Sequence, residues 1–189
     1  MSKNITAIQG ILKANSSPEA RASHQKFVPG TERIYGVRMP FINELAAEYK
    51  NGGFALAEEL WKAGALEEKI LAAKIVGRVA KKDPENALRI VDYFSDNIGN
   101  WAVCDAVGMQ SLKPILKSHQ AEVFALAKKY NRSTDFWQRR LSLVLVEWYT
   151  RIEELHPEIK KLVKAVENDE EYYVNKAVVW IKKNFNKGK

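Results

Sequence analysis

Apolar residues recur at helical spacing from the start of the chain. Ile5, Ile8, Ile11 and Leu12 fall on one stripe, so residues 5–14 are predicted as an amphipathic helix. Ser17, Pro18 and Glu19 then supply an N-cap, a first-turn proline and an acid matched to the helix dipole, so a second helix is expected to run up to Pro29-Gly30-Thr31. Pro40 opens a helix to about residue 49, closed by Asn51-Gly52-Gly53. Helices follow over 54–63 and 66–81, separated by Gly64. Asp83-Pro84-Glu85 starts another that ends near 97–99. Shorter ones are expected at 101–107, 110–117 and 122–130. Ser133, Thr134 and Asp135 cap a strong helix over 136–151, whose middle is almost wholly apolar from Leu141 to Val146. A helix over 157–167 and a last one started by Asn168 to Glu171 complete the pattern.

No stretch alternates apolar and polar residues with period two between turn residues, so no sheet is expected. The result is about ten helices joined by short links, which make neighbours antiparallel pairs. Pairs packed side by side form an α-solenoid. The recurring units of roughly 35–45 residues have the length of HEAT-type repeats. Periodicity alone also allows an irregular helical globule. The 189 residues are read as one domain over 1–189.

Charge adds a partner to this picture. Thirty Lys and Arg face 23 Asp and Glu, a formal net charge of +7, which favours a polyanion. Lys69, Lys74, Arg78, Lys81, Lys82, Lys113 and Lys117 recur along the middle helices, and Lys182, Lys183, Lys187 and Lys189 close the chain. Such residues could track a phosphate backbone or simply form a solvated face. The lone cysteine, Cys104, excludes an internal disulfide and suits a reducing compartment. His24, His119 and His156 lie far apart without a partner cysteine, so no metal is expected. The first 22 residues lack the apolar core of a signal peptide, and no run approaches the ~18 apolar residues of a membrane span. A soluble cytoplasmic protein is expected, associated with the nucleoid if the source is a prokaryote.

Candidate chemistry centres on five tryptophans. Trp61 and Trp148 sit within apolar stripes and are expected in the core. Trp101 and Asp105 are four apart and so share a helix face. Trp137 stands three residues before Arg140, and Trp180 four after Lys176. For any one pair, the simplest reading is a core indole beside a solvated charge.

Four segments together resemble the AlkD-like DNA alkylation repair proteins. They are Tyr35-Gly36-Val37-Arg38-Met39-Pro40, Asn100-Trp101 with Asp105, Phe136-Trp137-Gln138-Arg139-Arg140, and Asn175-Lys176-Ala177 with Trp180. Their order and approximate spacing are the family's, over roughly residues 30–185. The resemblance implies an all-α, right-handed α-solenoid of HEAT-like helix pairs, an ARM-repeat-like superhelix whose concave basic face holds duplex DNA. It implies a DNA glycosylase that excises purines made cationic by alkylation at N3 or N7, acting as a monomer and without a cofactor. Carried over by motif, Trp101, Asp105, Arg140 and Trp180 take the catalytic positions. Arg139, Lys176, Lys74, Arg78 and Lys113 are the expected DNA contacts.

The residue types fit that chemistry on their own terms. A cationic purine leaves without a general acid, and the barrier is charge building on the deoxyribose. A carboxylate answers that charge, as in glycosidases, and indole faces add about 0.5–2 kcal/mol each. The charge of Arg140 suits it to a flanking phosphate. One departure is Ala102, where family members often carry an acid. The family also contains members that bind DNA without excising bases, so a non-catalytic DNA-binding relative is a second reading. A HEAT-type protein-interaction scaffold is a third.

Overall fold

The computed structural model describes residues 3–31 and 33–185, so Lys187 and Lys189 lie outside the described residues. Within them the chain is helical, with no strand. The α-helices are α1 (Lys3–Ala14), α2 (Pro18–Phe27), α3 (Met39–Glu48), α4 (Gly53–Ala63), α5 (Leu66–Val79), α6 (Pro84–Ser95), α7 (Trp101–Ala106), α8 (Gln120–Asn131), α9 (Phe136–Val146), α10 (His156–Ala165) and α11 (Tyr172–Asn184).

Local capping chemistry fixes many of the starts. The Ser17 hydroxyl accepts from Ala20 N–H at 3.1 Å, the Asp83 carboxylate from Asn86 N–H at 3.1 Å, and Asp135 from Trp137 N–H at 2.7 Å. Each satisfies one of the donors that a helix start leaves without a partner.

The helices pack in two rows. α3, α5, α7, α9 and α11 contact one another in succession, and α4, α6, α8 and α10 form the second row. The most extensive packing is between sequence neighbours, α4 on α5 and α8 on α9. This repeat-like stacking is that of an α-solenoid. Trp61 lies in the core as expected, stacked on Phe94 with ring centroids 4.0 Å apart.

Two expected helices depart from their bounds for reasons of tertiary contact. The chain does not break after residue 107 and restart at 110. Instead α7 runs on into a π-helical turn over Val107–Ser111, followed by a 3₁₀ turn over Lys113–Ile115. Glycines accommodate its neighbours. A Cβ on Gly108 would stand 2.6 Å from Val144 Cγ1, and one on Gly77 of α5 would stand 2.3 Å from the Gln110 carbonyl oxygen.

The helix expected over 136–151 stops at Val146 and tightens into a 3₁₀ turn over Glu147–Arg151. There Thr150 Oγ1 donates to the Glu147 carbonyl at 2.8 Å, and the buried Glu147 carboxylate takes Asn184 Nδ2 of α11 at 2.8 Å. Trp148, on this turn, is half-buried rather than in the core, with Lys117 Nζ 5.9 Å from its ring centroid.

The last helix begins at Tyr172, directly after the run 168–171 expected to start it, with Glu171 at its N-cap. The Asp169 carboxylate accepts from Glu171 N–H at 3.0 Å and also pairs with Arg139.

Candidate active site

The site is assembled from the first row of helices and from the end of α2. Asn100 starts α7 by accepting from Val103 N–H at 2.9 Å, and its amide reaches back to Thr31 Oγ1 at 3.0 Å. The Pro29-Gly30-Thr31 turn therefore lies against the start of α7. Gly30 is needed there, because it has φ +79° and an added Cβ would stand 2.8 Å from the Gly99 carbonyl oxygen. Trp101, the next residue, donates its indole N–H to the Phe27 carbonyl at 2.8 Å. Its ring is fixed by an acceptor 74 positions away in the chain. Asp105 follows one turn later on the same face of α7.

Behind Asp105 stands Arg140 of α9. One terminal nitrogen donates to Asp105 Oδ1 at 2.7 Å and the other to the Tyr173 carbonyl at 2.8 Å. Its Nε is buried without a hydrogen-bond partner. Arg140 lines the cleft but is only 6% exposed, with both terminal nitrogens engaged, so it is not placed for the expected grip on a flanking phosphate. It holds the carboxylate instead. No donor among the described residues reaches Asp105 Oδ2, which leaves that oxygen free for the cleft. Burial pushes the Asp105 carboxyl above the ordinary aspartate range, against the opposing charge and hydrogen bond of Arg140. Burial likewise raises the Cys104 thiol, which keeps it protonated and inert.

Trp101, Asp105, Arg140 and Trp180 all line one open cleft of about 860 Å³. Lys176, one turn before Trp180 on α11, lines it too. Several lining residues carried no signal in the sequence. Phe27 and Tyr172 are exposed aromatics, 60% and 61% accessible, and Lys26 Nζ and Lys176 Nζ lie over their rings at 5.2 and 5.0 Å. Lys183 and the exposed Val179 complete the α11 wall. Only the folded chain brings residues 26–29 beside residue 101. Trp137 does not enter the cleft. It is buried between Phe136 and Tyr173, with centroids 4.8 and 5.1 Å away.

The remaining basic residues sort by their partners. Arg139 is committed to structure: Nε and one terminal nitrogen bind Asp169 at 2.6 and 3.2 Å, and the other donates to the Ser133 and Thr134 carbonyls. With every nitrogen engaged and four of its five N–H hydrogens taken, it is held as a structural clamp, so its expected place among the DNA contacts is corrected. Lys69 donates to the Asn97 carbonyl at 2.6 Å and covers the Trp61 ring. Lys182 pairs with Glu167 at 3.6 Å. Lys74, Arg78 and Lys113 share a second groove apart from the cleft.

The first signature segment, Tyr35 to Pro40, is a structural device. The Glu67 carboxylate, fully buried on α5, accepts from the backbone N–H groups of Tyr35, Gly36 and Val37 at 3.0, 2.7 and 3.1 Å. Glu68, also fully buried, accepts from the Tyr35 hydroxyl at 2.9 Å and Gln9 Nε2 at 2.9 Å. Gly36, at φ +86°, lies so close to α2 that a Cβ would come within 2.7 Å of the Ser17 carbonyl. Two adjacent glutamates on an amphipathic helix give no sequence sign of being interior, and both are.

The fold and cleft together define a helical-repeat protein with one open cleft lined by a carboxylate, two indoles and several lysines. The chain belongs to the DNA alkylation repair enzyme family, whose model matches residues 8–187. Its role is therefore in the repair of alkylated DNA. No curated protein matches the chain significantly. No helix among the described residues is long and apolar enough to cross a membrane.

Proposed function

We propose that the protein is a DNA glycosylase that excises purines made cationic by N3 or N7 alkylation from duplex DNA. The observation that carries this reading is the convergence of Trp101, Asp105, Arg140 and Trp180 on one open cleft. Lysines at its edge, Lys26, Lys176 and Lys183, suit the flanking phosphates.

The chemistry follows from the residues. The alkylated purine already carries the charge that makes it a leaving group, so C1′–N9 cleavage needs no proton donor. Positive charge develops on the sugar as the bond breaks. Asp105 stabilises it by charge, and the faces of Trp101 and Trp180 add about 0.5–2 kcal/mol each. The free Oδ2 accepts a proton from the water that attacks C1′. The products are a neutral alkylpurine and an abasic site, with the proton on Asp105. Arg140 acts as a positioning residue: its hydrogen bond fixes the carboxylate, and its charge favours the ionised form.

The test is release of free alkylpurine from methylated duplex DNA by the purified protein. Release is expected, with Asp105→Asn at least about 10²-fold slower while duplex binding persists. Salt-dependent duplex binding without any release would overturn the glycosylase in favour of a non-catalytic DNA-binding relative. Absence of duplex binding would leave a protein-interaction scaffold.

A further inference from the structure

A separate groove lies between α10 and the end of α11. His156, Lys160 and Lys164 follow one another at single turns of α10, and Lys182 and Phe185 face them from α11 and its C-cap, around a volume of about 420 Å³. On α11, Lys176, Trp180 and Lys183 form the stripe that lines the cleft. At 3.6 residues per turn, Lys182 and Phe185 stand roughly 130–170° around the helix from that stripe. No residue lines both the groove and the cleft, and α10 belongs to the second row of helices. A duplex seated in the cleft therefore leaves this groove uncovered.

Its lining combines cations with an apolar surface. Glu167, the one carboxylate among the lining residues, pairs with Lys182 at 3.6 Å. Lys160 and Lys164 are exposed and take no ion pair or side-chain hydrogen bond among the described residues. The half-buried Phe185 ring is held in place: His156 meets it edge-on with centroids 4.7 Å apart, and Lys160 Nζ lies 5.8 Å from its centroid. Val163 lines the groove beside it. A phosphate backbone would use the cations alone, meet Glu167, and leave Phe185 uncovered. A second copy of the chain, at net +7, is repelled, and the sequence after Phe185 adds two lysines and no acidic side chain. An acidic segment that also carries apolar side chains answers both features of the lining.

We propose that this groove docks an extended acidic peptide segment of a partner protein, with carboxylates on Lys160 and Lys164 and an apolar side chain against Phe185. The docking is separate from base excision and does not depend on it. The spacing supports an extended segment. Residues one helical turn apart advance about 6 Å along α10, and same-side residues of an extended chain repeat every 6–7 Å or so. Acids at alternate positions therefore register with Lys160 and Lys164. The residues between them point the other way, to the α11 wall where Phe185 stands.

Fluorescence anisotropy of a labelled peptide, Asp-Leu-Asp-Phe-Asp-Leu, titrated with the full chain tests the site. The wild type is expected to bind it, and Lys160→Gln/Lys164→Gln to bind it about five- to tenfold more weakly. Replacing the Leu and Phe of the peptide by Ser should weaken binding by about tenfold or more. A control, Lys81→Gln/Lys82→Gln in the exposed turn before α6, removes the same charge and is expected to keep the wild-type affinity. Duplex affinity should be the same in the wild type and in Lys160→Gln/Lys164→Gln. No peptide binding by the wild type up to about 1 mM would overturn the proposal. So would equal peptide affinity in the wild type and Lys160→Gln/Lys164→Gln, which would put the peptide elsewhere. A loss of duplex affinity in that variant as large as its loss of peptide affinity would overturn it in favour of a nucleic-acid backbone. The peptide affinities decide the site whether or not base is released.

Discussion

Asp105 and Arg140 show how one pair of side chains divides two tasks. On the proposed glycosylase reading Asp105 must be ionised to answer charge on the sugar, yet burial makes ionisation harder. Base release should therefore fall as pH drops through a midpoint above the ordinary aspartate range, as a pH series of single-turnover rates would show. The linked stability runs the opposite way. A carboxyl raised in the folded state favours folding when protonated, and that contribution fades as pH rises through the folded value. Wild type should thus gain stability over Asp105→Asn as pH falls through that window, read by denaturant unfolding. Trp101 makes a second residue-scale prediction. Trp101→Phe keeps an aromatic face but loses the hydrogen bond to the Phe27 carbonyl, worth about 0.5–1.5 kcal/mol. Release by this variant should slow several-fold to about tenfold, with duplex affinity little changed. Wild-type rates would remove the indole N–H from the mechanism.

Among the elements, α5 carries more of the architecture than its sequence suggests. Its first turn places Glu67 under the backbone of residues 35–37 and so fixes how the chain enters α3. Glu67→Gln swaps one acceptor oxygen for an amide that can only donate, and leaves backbone N–H groups short of a partner. We expect a loss of about 2–3 kcal/mol, which for a chain of this size lowers Tm by roughly 5–10 °C. Base release at 25 °C should be retained, because no residue of that segment lines the cleft. An unchanged Tm would show that water or neighbours replace the lost acceptor. The π-helical turn after α7 belongs to the same scale. No local signal in residues 107–111 announces it, and it exists because Gly77 and Gly108 let α5 and α9 pack close on both sides.

For the whole molecule, net charge matters less than where unpaired cations stand. Of the charges behind the +7 total, Lys26, Lys176 and Lys183 line the cleft, and Lys74, Arg78 and Lys113 line the second groove; on the proposed reading these six meet the duplex. At about 0.9 per phosphate neutralised, the wild-type salt slope should be near −5. A slope near −1 would mean that most of these residues stay in solvent. Arg139→Gln provides the contrast. It should destabilise the junction of α9 and α11 while leaving the slope intact, because its guanidinium is spent on Asp169 and two carbonyls.

The sequence by itself determined what depends on near neighbours. Helical periodicity gave the all-α class, and cap residues such as Ser17, Asp83 and Asp135 marked helix starts to within a residue or two. The four-residue step from Trp101 to Asp105 placed both on one face. Only the tertiary structure could decide what depends on contacts across tens of residues. Arg139 and Arg140 are chemically identical neighbours, and nothing local says that one clamps Asp169 while the other lies under Asp105. Glu67 and Glu68 look solvated until the backbone of residues 35–37 folds over them. Phe27 reaches the site only because α2 ends beside α7. A side chain's burial and charge environment are properties of the packed molecule, and at this site they turned an expected phosphate-gripping arginine into the support of a carboxylate.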